Sequence, residues 1–295
     1  MLSKYIGIIE KELEDCFCDS RFFIHQEIKE AMAYTTLLPS KKLRAIFALE
    51  TCKIFSGSYK NALGLALGIE MLHSQSLIHD DLPSMDNDDL RRGKPANHKV
   101  FGEATAILAG DALISFGAQT ILEKTPENID RNILCEVLNE YLTVAGAFGI
   151  VGGQIADMNA EGKKITEEEL DFIHKYKTSA LFELAIVCGA KLGGANNQET
   201  NDIKKFAKAF GLAFQIRDDI LDVISNEEEL GKTIGKDAKA NKSTYVTFWG
   251  LDVAKEKLLN LLKECYDIMD FMGIKSEVYK SILEKMEIKK WQQTF

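Results

Sequence analysis

Residues 77–93 read LIHDDLPSMDNDDLRRG. Asp80, Asp81, Asp86, Asp88 and Asp89 crowd one short stretch, and Arg91 and Arg92 follow at once. Carboxylates are hard oxygen donors. They suit Mg²⁺, which takes a few of them and fills its shell with water and phosphate oxygens. The apolar helical pattern of LGIEMLHSQSLIHDD must stop near Pro83, because proline lacks a donor and restricts the residue before it. Asp80 and Asp81 therefore fall in a last helical turn, where the partial negative charge of the helix end disfavours them. A bound cation at Asp80, Asp81 and Asp86 would remove that conflict. A solvated acidic loop is the plainer alternative. His73 lies two turns before Asp80 on the same face, roughly 10 Å along the axis.

A second acidic group stands in FQIRDDILD, residues 214–222. Gln215, Asp218, Asp219 and Asp222 are spaced i, i+3, i+4 and i+7, so they share one helical face. The adjoining face carries Ile203, Phe210, Phe214 and Leu221. Carboxylates at i, i+4 repel. Arg217 relieves part of this, and a divalent ion would relieve more. Two such groups facing each other across a helical bundle would hold several Mg²⁺ ions.

Cations flank both groups. Lys41, Lys42 and Arg44 open one helical pattern, Lys177 lies in HKYKTSALF, Lys232 and Lys236 in GKTIGKD, and Lys242 in NKSTY. Arginine grips phosphate through a planar fork and lysine as a point charge. Metal ligands and basic residues together point to a polyphosphate ligand. GKTIGKD lacks the GxxxxGK[ST] spacing of a P-loop and reads instead as a lid whose lysines close on phosphate.

The elements that must position these residues are helices. Amphipathic patterns cover about 1–17, 20–37, 41–56, 58–82, 103–123, 130–157, 166–193, 199–225, 243–270 and 275–290, and strand-like alternation is nearly absent. Only four prolines interrupt 295 residues. The expected fold is all-α, a single domain over 1–295 built as a helical bundle. A net charge of −9 argues against a nucleic-acid partner, which needs clustered excess cations. No uncharged apolar run is long enough for a transmembrane helix, and the N-terminal stretch lacks a signal peptide's apolar block. The six cysteines show no zinc spacing and read as free thiols of a reducing, cytoplasmic compartment.

In order along residues 39–245, the chain resembles the trans-isoprenyl diphosphate synthases, the farnesyl and geranylgeranyl diphosphate synthases among them. HSQSLIHDDLPSMDNDDLRRG resembles the first aspartate-rich motif in its longer DDxxxxD form. GEATAILAGDAL, GGQIAD, KTSALF, FQIRDDILD and GKTIGKD…KSTY resemble the blocks that follow. The resemblance implies an all-helical homodimer around a deep apolar cavity. It implies Mg²⁺-dependent transfer of an allylic prenyl group to isopentenyl diphosphate, with up to three ions. By the same resemblance, Asp80 and Asp86 hold two ions with Asp81 nearby, and Asp218 holds the third, supported by Asp219 and Asp222. Arg91, Lys177, Thr178, Gln215, Lys232 and Lys242 would serve the allylic diphosphate and the lid. Lys41, Arg44, His73 and Arg92 would hold isopentenyl diphosphate. Gln75, Ser76 and Leu72 occupy the stretch that sets prenyl length.

Three departures stand out. The family's GGKRLRP is PSKKLRA here, and its KTG is KTS. Gln75 replaces the tyrosine or methionine that resembling sequences carry five residues before the first aspartate. The expected product is farnesyl diphosphate, with geranylgeranyl diphosphate as the rival. A terpene cyclase is disfavoured by Asp218, Asp219 and Asp222, which stand where an Asn/Ser/Glu triad belongs. A non-catalytic subunit is disfavoured by the retention of both acidic motifs. A metal phosphohydrolase is disfavoured by the scarcity of histidines.

Overall fold

The computed structural model describes residues 1–19, 25–224 and 243–287. Lys232, Lys236 and Lys242 lie outside the described residues.

The described residues are mostly helical. The helices are α1 Leu2–Cys18, α2 Gln26–Thr36, α3 Leu43–Ser56, α4 Leu63–Asp80, α5 Asn97–Phe101, α6 Glu103–Lys124, α7 Arg131–Ala145, α8 Ile150–Ala160, α9 Glu167–Ile173, α10 Ala180–Leu192, α11 Asn197–Ile224, α12 Tyr245–Trp249, α13 Leu251–Phe271 and α14 Glu277–Met286. The central helix α4 is buried almost all round from Gly64 to Leu72, as a helix inside a bundle must be. It packs on α3 and α6, α3 packs on α10, and α10 and α13 pack on α11. The core between α3, α10, α11 and α14 is aromatic. Phe47 meets Phe210 at 4.6 Å between ring centroids, and Phe206 stacks on Tyr279 at 4.9 Å. Ile203, Phe210 and Leu221 are buried as their spacing requires.

Three expected helices are interrupted. The pattern over 130–157 breaks between α7 and α8 at residues 146–149, where AGAFG supplies two glycines. The pattern over 243–270 breaks at Gly250, whose φ of 79° ends α12. The pattern over 166–193 runs on, but its middle turn, His174–Ser179, is a π-helix. Lys41 and Lys42 also precede α3 rather than open it, because Lys42 takes a left-handed backbone at φ 47° and the helix begins at Leu43.

Two stretches, Glu103–Lys124 and Arg131–Ala160, have the length and apolar content of a membrane-crossing helix. The first packs along α4 in the core of the bundle. The second is not one continuous helix but the broken pair α7–α8.

Candidate active site

The site grows from the end of α4. The amides of Asp86 and Asp88 donate to the carbonyls of Asp80 and Asp81 at 2.9 and 3.2 Å. The acidic loop thus folds back and satisfies carbonyls that a helix C-terminus leaves open. It leads into a small antiparallel hairpin, Leu90–Arg91 with Lys94–Pro95. Arg92 and Gly93 form its turn, both with positive φ, 53° and 73°, the two-residue geometry that matches strand twist. Tyr34 of α2 pins the hairpin by donating to the Pro95 carbonyl at 2.9 Å. The hairpin therefore presents adjacent arginines to two different places.

Arg91 turns toward the aspartates. Its guanidinium grips both carboxylate oxygens of Asp81, with Nε at 2.9 and 3.1 Å and a closer contact through Nη2, and it reaches Asp88 at 3.5 Å. Asp81 is only 1% exposed and is neutralised by this fork. Among the described residues, Asp80 has no such fork. Burial raises its pKa to about 6, with Asp86 adding to the rise and Lys177 and Arg91 opposing it. A carboxylate held this way would gain most from an added cation.

Lys177 comes from the π turn. A Cβ on Gly153 would lie 2.5 Å from the Lys177 amide, so glycine is what lets α8 approach this backbone. One turn along α8, Asp157 accepts an ion-pair hydrogen bond from Lys177 Nζ. Asp157 belongs to GGQIAD and is a site residue that the sequence reading misses. Its visible signal is a lone acid in an apolar helix, one turn beyond a glycine pair. The Ser179 of KTS is also accommodated. A Cβ on Gly211 would come within 2.7 Å of the Ser179 side chain, so the bare backbone of α11 leaves room for the serine.

The second acidic group divides its labour. Asp219 is 3% exposed. It accepts from Gln215 Nε2 and from the Tyr245 amide, both at 2.8 Å. It therefore ties α11 to the segment that begins α12, while Tyr245 donates its hydroxyl to Asp171 at 2.6 Å. His174 packs against the Tyr245 ring at 5.0 Å between centroids, and burial lowers its pKa to about 4. Asp218 sits 3.9 Å from Arg217 and lies within electrostatic reach of Arg44. Asp222 is partly exposed toward the end of α11. Asp157, His174, Lys177, Thr178, Gln215 and Asp219 line one cavity of about 160 Å³. Lys177 thus joins the first acidic group to this wall.

A third group is cationic. Burial lowers the pKa of His73 well below its ordinary value, and Arg44, Arg92, Lys42 and Arg91 lower it further. Arg44 lies over the Phe182 ring at 4.6 Å, a cation–π contact that fixes the guanidinium. Arg92 reaches the Leu38 carbonyl at 3.4 Å. Ser40 Oγ, Arg44 Nε and His73 Nδ1 are buried and make no hydrogen bond among the described residues. Buried polar atoms normally find partners, and an orphaned guanidinium donor, a hydroxyl and an imidazole nitrogen beside excess positive charge suit an anion. Lys41 is exposed. Lys42, grouped with it in the sequence, is instead 3% exposed and turned inward.

The expected length-setting residues lie on α4 away from these charges. Leu72 is buried core. Ser76 donates to the His73 carbonyl at 2.9 Å. Gln75 is 5% exposed, and its Nε2 lies 3.1 Å from His79 Nδ1, with His79 Nε2 3.1 Å from the Ile107 carbonyl of α6.

Among the described residues, no three acidic, histidine or cysteine side chains are close enough to hold an ion unaided. An ion held here would need waters and phosphate oxygens to complete its shell, as Mg²⁺ accepts. The half-buried Asp80, with its raised pKa, and the all-oxygen donor set fit such an ion.

Comparison with known proteins agrees with the geometry. The polyprenyl synthetase family model matches residues 25–286. The chain is 47% identical to a farnesyl diphosphate synthase of Geobacillus stearothermophilus over 79% of its length and 78% of that protein. It is 44% identical to a geranylgeranyl diphosphate synthase of Cyanophora paradoxa over 80% of its length and 79% of that protein. Its fold matches the crystal structure of a geranyltransferase from Legionella pneumophila with a TM-score of 0.85 and 27% identity, covering 98% of this chain and 96% of that one. With two acidic groups joined at Lys177 and a separate cationic pocket on the same all-helical frame, the chain belongs to the polyprenyl synthetase family of prenyl-transferring enzymes.

Proposed function

We propose that the protein condenses isopentenyl diphosphate with dimethylallyl and then geranyl diphosphate to give farnesyl diphosphate. The observation that carries this reading is the pairing of two distinct anion-binding regions. One is acidic and needs an added cation, at Asp80, Asp86, Lys177 and Arg91. The other is cationic in its own right at Arg44 and Arg92, with His73 held neutral beside them. One reaction uses two diphosphates in these two ways.

Asp80, Asp86, Asp218 and Asp222 would hold up to three Mg²⁺ ions. When bound, Mg²⁺ supplies Lewis-acid neutralisation of the charge that builds on a diphosphate leaving group. Lys177, Thr178, Gln215 and Arg91 orient the allylic diphosphate so that its C1–O bond points at the second substrate. That bond breaks with its electron pair leaving on pyrophosphate, and an allylic carbocation remains. The double bond of isopentenyl diphosphate, held by Lys41, Arg44, His73 and Arg92, attacks C1 and forms the new C–C bond. A proton then leaves C2 for the departing pyrophosphate. Buried donors aimed at the leaving oxygens provide the electrostatic stabilisation. Asp81 and Asp157 act through Arg91 and Lys177 rather than on substrate, and Asp219 holds the wall.

The exposed apolar side chains Leu108, Leu122, Leu142, Phe148 and Val151 of α6–α8 support a homodimer formed on that side, working in the cytoplasm without a membrane span. A twenty-carbon product is the second reading, favoured by the geranylgeranyl synthases among the relatives. Incubation with Mg²⁺, isopentenyl diphosphate and each of the dimethylallyl, geranyl and farnesyl primers tests both. The expected result is a fifteen-carbon product with farnesyl diphosphate refused. Elongation of farnesyl diphosphate would establish the second reading, and no condensation with any primer would end both.

A further inference from the structure

Lys42 has an unusual setting for a surface-type residue. Its side chain is 1% exposed, its Nζ donates to the Thr36 carbonyl at 2.9 Å, and it sits 3.5 Å from the Glu70 carboxylate, itself 3% exposed. The backbone accepts a left-handed conformation, φ 47°, to turn the side chain inward. A non-glycine residue there is uncommon and carries strain. The turn so formed lies between Lys41 and Arg44, and its carbonyl accepts the first helical hydrogen bond of α3, from Ile46 at 2.9 Å.

Glu70 is the key to the arrangement. It stands one turn before His73 on α4 and is the carboxylate whose charge acts on Lys42, Arg44 and Arg92 alike. An unbalanced buried carboxylate there would compete with any incoming anion for both arginines. We propose that Lys42 is a positioning residue that occupies Glu70, so that Arg44 and Arg92 remain available to a diphosphate. It does not touch the diphosphate itself. This inference rests on the two-site reading given under Proposed function and assigns to Lys42 a role opposite to that of Lys41.

The test uses wild type, Lys42→Met, Glu70→Gln and the double variant, with each substrate varied separately. Breaking a buried pair on one side leaves an uncompensated charge, whereas removing both partners is tolerated. Lys42→Met is therefore expected to raise KM for isopentenyl diphosphate by about 10-fold or more, with KM for the allylic substrate within about 2-fold of wild type. Glu70→Gln should not raise KM for isopentenyl diphosphate, and the double variant should return to within about 3-fold of wild type. A double variant as impaired as Lys42→Met would show that Lys42 contacts phosphate and would overturn the proposal. Equal shifts in both KM values, or none, would also overturn it. If the wild type consumes no isopentenyl diphosphate, the function reading fails instead. Calorimetric affinities of the four proteins for inorganic pyrophosphate without metal then decide the Lys42 assignment by the same ordering.

Discussion

The two proposed diphosphate regions pose opposite electrostatic problems. Around the end of α4, cations and anions are paired within the protein: Arg91 with Asp81, and Lys177 with Asp157. Asp80 is left half-buried with its pKa raised, the setting in which the proposed metal would add the missing positive charge. In the pocket of Arg44, Arg92 and His73, positive charge exceeds negative, and donors stay unpartnered. That region is ready for an anion as it stands. On the proposed reading, ionisation of the leaving group depends on metal while capture of the second substrate does not.

The largest expected effect separates the two regions by turnover. Asp80→Ala should lower kcat by about 10³-fold or more, the scale of losing a metal-held electrostatic stabiliser, while thermal melting without metal stays at or above that of wild type. Unaltered turnover in the folded variant would remove Asp80 from the metal site. Next, Arg44→Gln should raise KM for isopentenyl diphosphate by roughly 10- to 100-fold, the value of a charge-assisted hydrogen bond lost to a buried site. The allylic KM should hardly move. If both KM values rise together, the two regions are not separate. Asp157→Asn should act more mildly, by about 10-fold on the allylic side, since it frees Lys177 from a partner that only orients it. Kinetics with geranyl diphosphate as the varied substrate checks this.

The smallest effect is on stability. Asp80 has a folded pKa of about 6, above the ordinary carboxylate value near 4. Between those values the folded state binds more protons than the unfolded one. Metal-free stability contributed by this group should therefore be fully present below pH 4 and fall as pH rises through 6. Asp80→Asn should flatten that slope in a series of denaturant melts, and added Mg²⁺ should flatten it in wild type.

Much of the site is legible in the sequence because its residue types and spacing are incompatible with simpler roles. Paired aspartates at a helix C-terminus, and a three-carboxylate stripe beside Phe210 and Leu221, both ask for a cation. The all-α architecture follows from helical periodicity and few breakers. Other features depend on residues far apart in the chain. In the sequence Lys42 is one of three grouped cations, and nothing local reveals its partner Glu70 on another helix. Asp157 gains its meaning only from Lys177, twenty residues on. The π turn at His174–Ser179 leaves the hydrophobic period almost unchanged, so periodicity does not show it. The hairpin that aims Arg91 and Arg92 apart is only two residues per strand, too short for an alternation signal.

The most direct measurement of the central claim is calorimetric binding of each diphosphate with and without metal. Isopentenyl diphosphate and a non-ionisable allylic diphosphate analogue would be titrated separately into wild-type protein in chelator and in Mg²⁺. The account predicts that isopentenyl diphosphate binds in both conditions with affinities within a few-fold, while the analogue gains at least about 10-fold from Mg²⁺, as expected where metal bridges carboxylate and phosphate. Equal dependence of both ligands on Mg²⁺, or of neither, would contradict it.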